Sequence, residues 1–149
     1  MTKDILVSIS GLQMAPDDQS DSVEVIAPGE YYYRNNKHFI VYDEVTEGES
    51  EVTKNIIKFN NDYMEVTRKG PANVHLVFEK NKKNVTYYYT PFGSLNVGID
   101  ARSVEVKENE DEIKVNVKYA LEVNYEHVAE CDIVVTVKSK GSEFKLLST

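Results

Sequence analysis

Apolar and polar side chains alternate with a period of two along most of this chain. The clearest run extends from Ile113 to Val123, where every second position is apolar. A second run, from Cys131 to Val137, has the same spacing. Successive side chains of a β-strand point to opposite faces, whereas a helix repeats every 3.6 residues. The pattern therefore predicts an all-β protein whose strands bury one face.

The segments between the predicted strands are short. Turn-forming sequences such as Asn35–Asn36 and Asn60–Asp62 separate consecutive alternating runs. A parallel crossover needs about a dozen residues or more, so neighbouring strands are predicted to pair antiparallel. An open meander of about ten such strands would leave two exposed edges, which closure removes. We therefore predict one domain, residues 1–149, folded as an up-and-down β-barrel of about eight to ten strands. A two-sheet sandwich is the alternative.

Two irregularities are predicted within long strands. Pro28–Gly29 interrupts the run SVEVIAPGEYYYR and should kink or bulge that strand. In LNVGIDARSVEVK, Val97 and Ile99 have odd numbers whereas Val104 has an even number, so in a regular strand they would point to opposite faces. A bulge near residues 101–103 would account for this change of phase.

The charge and the single cysteine limit the partners and the compartment. The net charge of −8 repels phosphate backbones, so neither nucleic acid nor an anionic membrane is expected as a partner. Cys131 is the one cysteine, so no intrachain disulfide can form. The first residues contain no continuous apolar run typical of a signal peptide. A cytoplasmic location is expected.

Motifs of catalysis, metal binding and cofactor binding are absent from the sequence. His38, His75 and His127 lie far apart and lack metal-ligand spacing. No phosphate-binding glycine loop and no complete nucleophile elbow is present. We therefore expect no metal or cofactor, and we assign no catalytic residue. Barrel enzymes can assemble sites from distant strands, so catalysis stays open but is not favoured.

Arg68 is the most informative polar residue. It shares strand parity with Met64 and Val66, just before Gly70–Pro71. A guanidinium group cannot lose its charge, so its burial requires partners. Arg68 would either stabilise the barrel by bonding to a carboxylate or to strand carbonyls, or donate paired hydrogen bonds to the carboxylate or phosphate of a ligand. The third interpretation places it in water.

Five other residues complete the predicted ligand-binding set. Glu44 follows Tyr42 at the same parity, and Thr53 begins the next strand, so Glu44, Thr53 and Arg68 could align across neighbouring strands. Glu44 could equally be a solvated acid beside an acidic loop. Tyr88 lies in a tyrosine run that either lines a cavity or packs in the barrel. Gln13, after the first strand, is either a polar lumen residue or a loop residue.

Several ordered segments together resemble the YwiB-like family of small bacterial proteins of unknown function. The matching segments are VSISGLQ (7–13), PGEYYYRNNKHFIVYDE (28–44), VTRKG (66–70), LVFEK (76–80), YYTPFGSLNVGI (88–99) and IKVNVKYALEVN (113–124). The resemblance implies a calycin-type barrel, as in lipocalins and fatty-acid-binding proteins, without an established activity. The chain has no Trp, so the lipocalin Gly-x-Trp signature is missing. Lipid transport is therefore an analogy from the fold alone.

Two functions from different classes follow from these observations. The favoured one is a non-catalytic barrel that binds a small anionic or amphipathic ligand in its lumen, with Arg68 as the charged anchor. The alternative is a structural or protein–protein interaction module that acts through its exterior or an edge strand, as in a homodimer. Phe39 or Ile40 would then form part of the apolar outer face.

Overall fold

The computed structural model describes residues 3–11, 24–45, 52–70, 73–90 and 93–140 of the chain. Ten β-strands form within these residues, which confirms the predicted all-β class. The described part of the chain contains no helix that could span a membrane. The strands are β1 (Asp4–Ser10), β2 (Glu24–Arg34), β3 (Lys37–Val45), β4 (Val52–Phe59), β5 (Tyr63–Lys69), β6 (Val74–Glu79), β7 (Lys82–Thr90), β8 (Gly93–Glu108), β9 (Glu112–Val123) and β10 (Glu126–Ser139).

The ten strands form one antiparallel sheet that curls into a nearly closed barrel. Their order is β6-β5-β4-β3-β2-β1-β10-β9-β8-β7, so β1 pairs with both β2 and β10. The two edges, β6 and β7, contact each other, yet within the described residues no ladder joins them. We call this gap the seam. At the turn that crosses it, the Lys80 amide donates to the Asp62 carbonyl and the Asn81 amide to the Ala101 carbonyl.

The tight turns follow from asparagine chemistry. Asn35 and Asn36 have φ values of 53° and 62°, and they join β2 to β3 with Arg34 opposite Lys37. Two successive residues with positive φ are typical of a type I′ hairpin turn, a conformation that asparagine tolerates well. Between β4 and β5, the Asn60 side chain accepts hydrogen bonds from the amides of Asp62 and Tyr63. Both predicted turns are therefore confirmed.

Of the two predicted irregularities, the bulge in β8 is confirmed, whereas at Pro28–Gly29 a bulge is wrong and a kink stays a prediction. The register of β8 against β9 shifts between Ala101 and Ser103, which confirms the bulge inferred from the change of phase. At Pro28–Gly29, by contrast, the pairing of β2 with β1 continues without a shift, so the predicted bulge is wrong there. A side chain at Gly29 would place its Cβ 2.7 Å from the Val41 carbonyl oxygen. This glycine therefore permits close backbone approach rather than an inserted residue.

Inward-pointing apolar side chains fill the interior of the barrel. In β9, for example, Ile113 and Val115 are buried while Lys114 is exposed, as the period-two pattern predicts. The Phe78 ring, from edge strand β6, meets the Tyr119 ring of β9 edge to face, with centroids 4.9 Å apart. The largest buried side chains are Tyr119, Phe59, Phe78, Ile5, Ile40, Ile57, Met64, Leu76, Ile99, Ile113, Leu121 and Ile133.

Candidate functional site

Four of the predicted ligand-binding residues, Tyr42, Glu44, Thr53 and Arg68, belong to one end of the barrel. At this end, which we call the loop end, β1 connects to β2, β3 to β4, β5 to β6, β7 to β8 and β9 to β10. The connections at residues 35–36, 60–62, 80–81 and 109–111 lie at the opposite end. Antiparallel pairing places the carboxyl ends of β3 and β5 beside the start of β4. Side chains of one parity on these three strands therefore converge on the loop end of the interior.

Arg68 and Glu44 form an ion pair at the loop end. The Arg68 Nη2 atom donates a hydrogen bond of 3.0 Å to Glu44 Oε1. Their side chains are 22% and 27% exposed, so water reaches the pair without surrounding it. Arg68 lies opposite Val74 of β6 and at the parity of buried Met64 and Val66, as predicted. The structure thus brings together the acid and the base that the sequence analysis paired, whereas a role in ligand binding stays a prediction.

Asn55 lies between the ion pair and the buried interior. It is directly opposite Tyr42 on β3 and Arg68 on β5, and it is 1% exposed. Its Nδ2 atom lies 3.4 Å from Glu44 Oε1 and 3.4 Å from the Thr53 carbonyl oxygen. Because both neighbours are acceptors, the amide must present its nitrogen to them. Its Oδ1 atom is buried and, within the described part of the chain, has no hydrogen-bond partner.

The sequence analysis did not include Asn55, although a signal for it was present. Asn55 shares parity with Ile57 and Phe59, which are both buried core residues. A polar residue at core parity, one strand away from Arg68, meets the criterion that selected Arg68 itself. Buried polar groups ordinarily have hydrogen-bond partners, and an exception calls for an explanation.

Tyr42 and Thr53 are buried beside Asn55. Burial raises the pKa of the Tyr42 phenol; the Glu44 carboxylate adds to this rise and Arg68 opposes it. Tyr42 therefore stays neutral at physiological pH. Thr53 lies opposite Glu44, and its hydroxyl fits closely against Gly70, where an added Cβ would lie 2.6 Å from Thr53 Oγ1.

The structure does not place the last two predicted site residues against this cluster. The backbone of Tyr88 pairs with Leu95, but the Tyr88 side chain lies outside the described structure. Gln13 also lies outside the described residues. The structure therefore brings together Arg68, Glu44, Tyr42 and Thr53, and it adds Asn55.

A double-mutant cycle will measure the coupling between Glu44 and Arg68. We expect Glu44→Gln and Arg68→Met to couple by about 1 kcal/mol in the free energy of unfolding, because the pair is short and partly shielded from water. Urea denaturation of the two single variants and the double variant gives this energy. The control is the exposed pair Arg102–Glu130, whose side chains are 59% and 57% exposed and should couple much more weakly. Equal coupling in the two cycles would contradict a structural role for the inner pair.

A second polar cluster, which sequence reasoning did not find, lies near the opposite end. His38 is 8% exposed, and its ring stacks on Phe59 with centroids 4.7 Å apart. Its Nδ1 atom lies 2.7 Å from the Tyr31 hydroxyl, and its Nε2 atom lies 4.0 Å from Glu108 Oε1. Burial lowers the pKa of His38 although Glu108 opposes this, and burial raises the pKa of Tyr31 to about 12.

Stability should depend on the protonation of His38. The pKa of His38 is lower in the folded protein than in the unfolded chain. At pH values between these two pKa values, the unfolded chain binds a proton at His38 and the folded protein does not. The contribution of neutral His38 to the free energy of unfolding is therefore present above the usual pKa, about 6.5, and is lost as pH falls below it. We expect the midpoint of thermal unfolding to decrease from pH 7.5 to 5.5, and less so in His38→Gln. A parent-like slope in His38→Gln would refute the assignment.

The fold and this site define a class of small all-β barrels with a polar cluster at one end of an apolar interior. The chain belongs to the family described as Domain of unknown function (DUF1934), whose model matches residues 7–135. It is similar in structure to the ywiB protein from Bacillus subtilis, with a TM-score of 0.73, 19% identity and 92% of each chain covered. No curated protein matches the chain. The resemblance drawn from the sequence is thereby confirmed, whereas the link to calycins and lipocalins stays a prediction.

Proposed function

We propose that this protein binds a small molecule at the loop end of its barrel, through Asn55 and the Glu44–Arg68 pair. The proposal includes the cytoplasmic, non-catalytic role expected from the sequence. The observation that carries it is the Asn55 Oδ1 atom, which is buried and has no hydrogen-bond partner among the residues that the structure describes. Leaving such an acceptor unsatisfied costs about 1–3 kcal/mol. A ligand that donates a hydrogen bond to this oxygen would recover that energy.

The packing of the interior favours a small ligand near the mouth over a long one along the axis. The Phe78 and Tyr119 rings meet within the interior, and the buried side chains around them form one cluster. A barrel of about eight strands has an interior that its side chains fill or that holds one small ligand, and the diameter grows with the number of strands. The partly exposed ion pair, by contrast, stands where water reaches it. Tyr88 and Gln13 remain candidate contacts from the surrounding segments.

Native mass spectrometry of the protein purified from its own host tests the proposal. We expect a co-purified small molecule that is retained by the parent protein and lost from Asn55→Leu, which removes the buried acceptor. The matched control is Asn116→Leu, because Asn116 lies on the outer face and bonds to Asp132. Retention of the same molecule by Asn55→Leu would place binding elsewhere. An unliganded parent protein would count against a tightly bound ligand at this site.

A second candidate function, association with another copy of the chain, is favoured by one surface. Tyr32, Arg34, Phe39, Val41 and Ile56 line a largely apolar groove of about 430 Å³ on the outer face of β2–β4. The sequence analysis named Phe39 or Ile40 for this face; Ile40 is wrong because it is buried in the interior. Adjacent strand residues point to opposite faces, so only one of the two could be outward.

Light scattering over a range of concentrations tests self-association. If the outer groove is an interface, the parent protein should have twice the mass of one chain, and Phe39→Glu should reduce it to that of one chain. A parent protein that stays monomeric at high concentration would remove this candidate.

A further inference from the structure

We propose that the outer groove of β2–β4 binds a free small molecule with a flat apolar body and one carboxylate. The groove has a volume of about 430 Å³ and a largely apolar lining. Pockets that bind small molecules typically measure about 300–1,000 Å³ and combine apolar walls with a few polar groups. The loop-end cluster faces the interior of the barrel, so this inference is independent of it, and it gives the groove a different occupant from a second copy of the chain.

Two cross-strand pairs form the apolar floor of the groove. Tyr32 lies directly opposite Phe39, and Val41 lies directly opposite Ile56. All four side chains are on the outer face, where they are only partly exposed. Opposed residues on one face of an antiparallel pair have Cβ atoms about 4.5–5.5 Å apart, so each pair presents a continuous apolar surface. Because aromatic rings pack well against other flat groups, this floor suits a flat apolar body.

Three cations border the floor. The Arg34 Cζ atom lies 5.7 Å from the centroid of the Tyr32 ring, and the Lys3 Nζ atom lies 5.5 Å from it. The Lys58 Nζ atom lies 5.9 Å from the centroid of the Phe39 ring. A cation within about 6 Å of a ring centroid is attracted by the face of that ring. The aromatic floor therefore holds positive charge beside the groove.

Arg34 is the cation of these three that a ligand can engage without displacing a protein carboxylate. The Lys3 Nζ atom lies 3.6 Å from Glu30 Oε2, and the Lys58 Nζ atom lies 3.5 Å from Glu65 Oε1. Arg34 lines the groove and forms no ion pair within the described part of the chain. A guanidinium group can donate two parallel hydrogen bonds to a carboxylate. Charge complementarity therefore selects a carboxylate over an amine.

The distribution of charge favours a small ligand over a large anionic surface. Arg34 lies directly opposite Lys37 at one end of the groove, whereas the whole chain has a net charge of −8. A polyanion or an anionic membrane would extend past these cations and meet the acidic remainder of the protein. A protein partner typically contacts about 20–30 residues, and the described lining of this groove consists of five.

Three probes that share a naphthalene ring separate the alternatives: 2-naphthoate, 2-naphthalenemethanol and 2-naphthylmethylammonium. Each is titrated at neutral pH into the ¹⁵N-labelled full chain, and the backbone amide signals of Phe39 and Val41 are followed by NMR. We expect naphthoate to bind about fivefold more tightly than the alcohol, which corresponds to about 1 kcal/mol, and the ammonium probe to bind more weakly than either. Raising the salt from 0.05 to 0.5 M should reduce the preference for naphthoate, because screening acts on charged ligands.

Variants connect the response to the named residues. Arg34→Gln should remove the preference for naphthoate and leave the affinity for the alcohol unchanged. The matched control is Arg102→Gln, which removes the same charge from an exposed position on β8 and should retain the preference. Phe39→Ser should weaken the binding of naphthoate and of the alcohol alike, because it removes part of the shared apolar floor.

Three results would overturn the inference directly: equal affinities for naphthoate and the alcohol, a preference that survives Arg34→Gln, or no response of the groove signals to any probe. Shifts of the Asn55 side-chain signals without shifts at Phe39 and Val41 would also overturn it, while supporting the loop-end site. Groove signals that change with protein concentration in the absence of a probe would assign the groove to a second copy of the chain instead.

Discussion

Replacing Phe78 with alanine should lower the free energy of unfolding by about 3–5 kcal/mol, the range for large aromatic truncations in a core. Phe78 is completely buried, and its ring packs edge to face against Tyr119. Its position makes the change especially informative. Phe78 lies on the edge strand β6, and in the described residues no backbone ladder crosses from β6 to β7. Along these two strands, side-chain packing therefore contributes to closing the barrel at the seam, together with the backbone hydrogen bonds made by the turn at residues 80–81.

Urea denaturation of Phe78→Ala and Phe39→Ala provides a matched comparison. Phe39 carries the same side chain on the outer face, where it is only partly buried. Its loss should have a much smaller effect, since most of the cost of a core truncation comes from the apolar contacts removed and the cavity created. Comparable destabilisation by the two substitutions would show that Phe78 does not fasten the seam.

Replacing Gly11 with alanine should destabilise the protein by about 2–5 kcal/mol, combining backbone strain of about 1–2 kcal/mol with overpacking of about 1–3 kcal/mol. Gly11 directly follows β1 and has a φ of +82°. A Cβ there would overlap the backbone carbonyl oxygen of Asp132, which lies on β10. Because that oxygen belongs to the backbone, relief would require β1 and β10 to move apart.

Gly93→Ala separates the two contributions. Gly93 also has a positive φ, +125°, but a Cβ there would meet no atom of the described residues within 4 Å. Alanine at Gly93 should therefore cost the backbone term alone, and thermal or urea unfolding should rank Gly11→Ala as the more destabilised variant. The reverse ranking would mean that β1 and β10 yield easily at this point.

The local features of the fold could be predicted from the sequence because they depend on near neighbours. Period-two alternation located the strands, and asparagine pairs located the turns. The change of phase between Ile99 and Val104 located the bulge. Arg68 was predicted to point inward because it lies four residues after Met64 in the same strand. Its pairing with Glu44 was predicted from the positions of the two residues along their strands. These inferences need only the geometry of strands and turns.

Features that depend on which distant residues meet could not be predicted in this way. The approach of Glu108 to His38 spans the barrel, and no spacing in the sequence announces it. The fit of Gly29 against Val41 likewise depends on the neighbouring strand, so a local rule misread it as a bulge. That Asn55 Oδ1 has no hydrogen-bond partner in residues 3–11, 24–45, 52–70, 73–90 and 93–140 also depends on the positions of side chains from neighbouring strands.

The bulge between Ala101 and Ser103 also restricts how the length of β8 can change. On its two sides, Ile99 and Val104 both point inward although their numbers differ in parity. Removing the one extra residue of the bulge, Arg102, would regularise the backbone and leave the side chains of both halves on their present faces, because Ser103 would then directly follow Ala101. Removing one residue elsewhere in β8 would turn the side chains of one half to the wrong face. Natural or engineered deletions in β8 should therefore be tolerated singly at the bulge, and only in even steps in the rest of the strand.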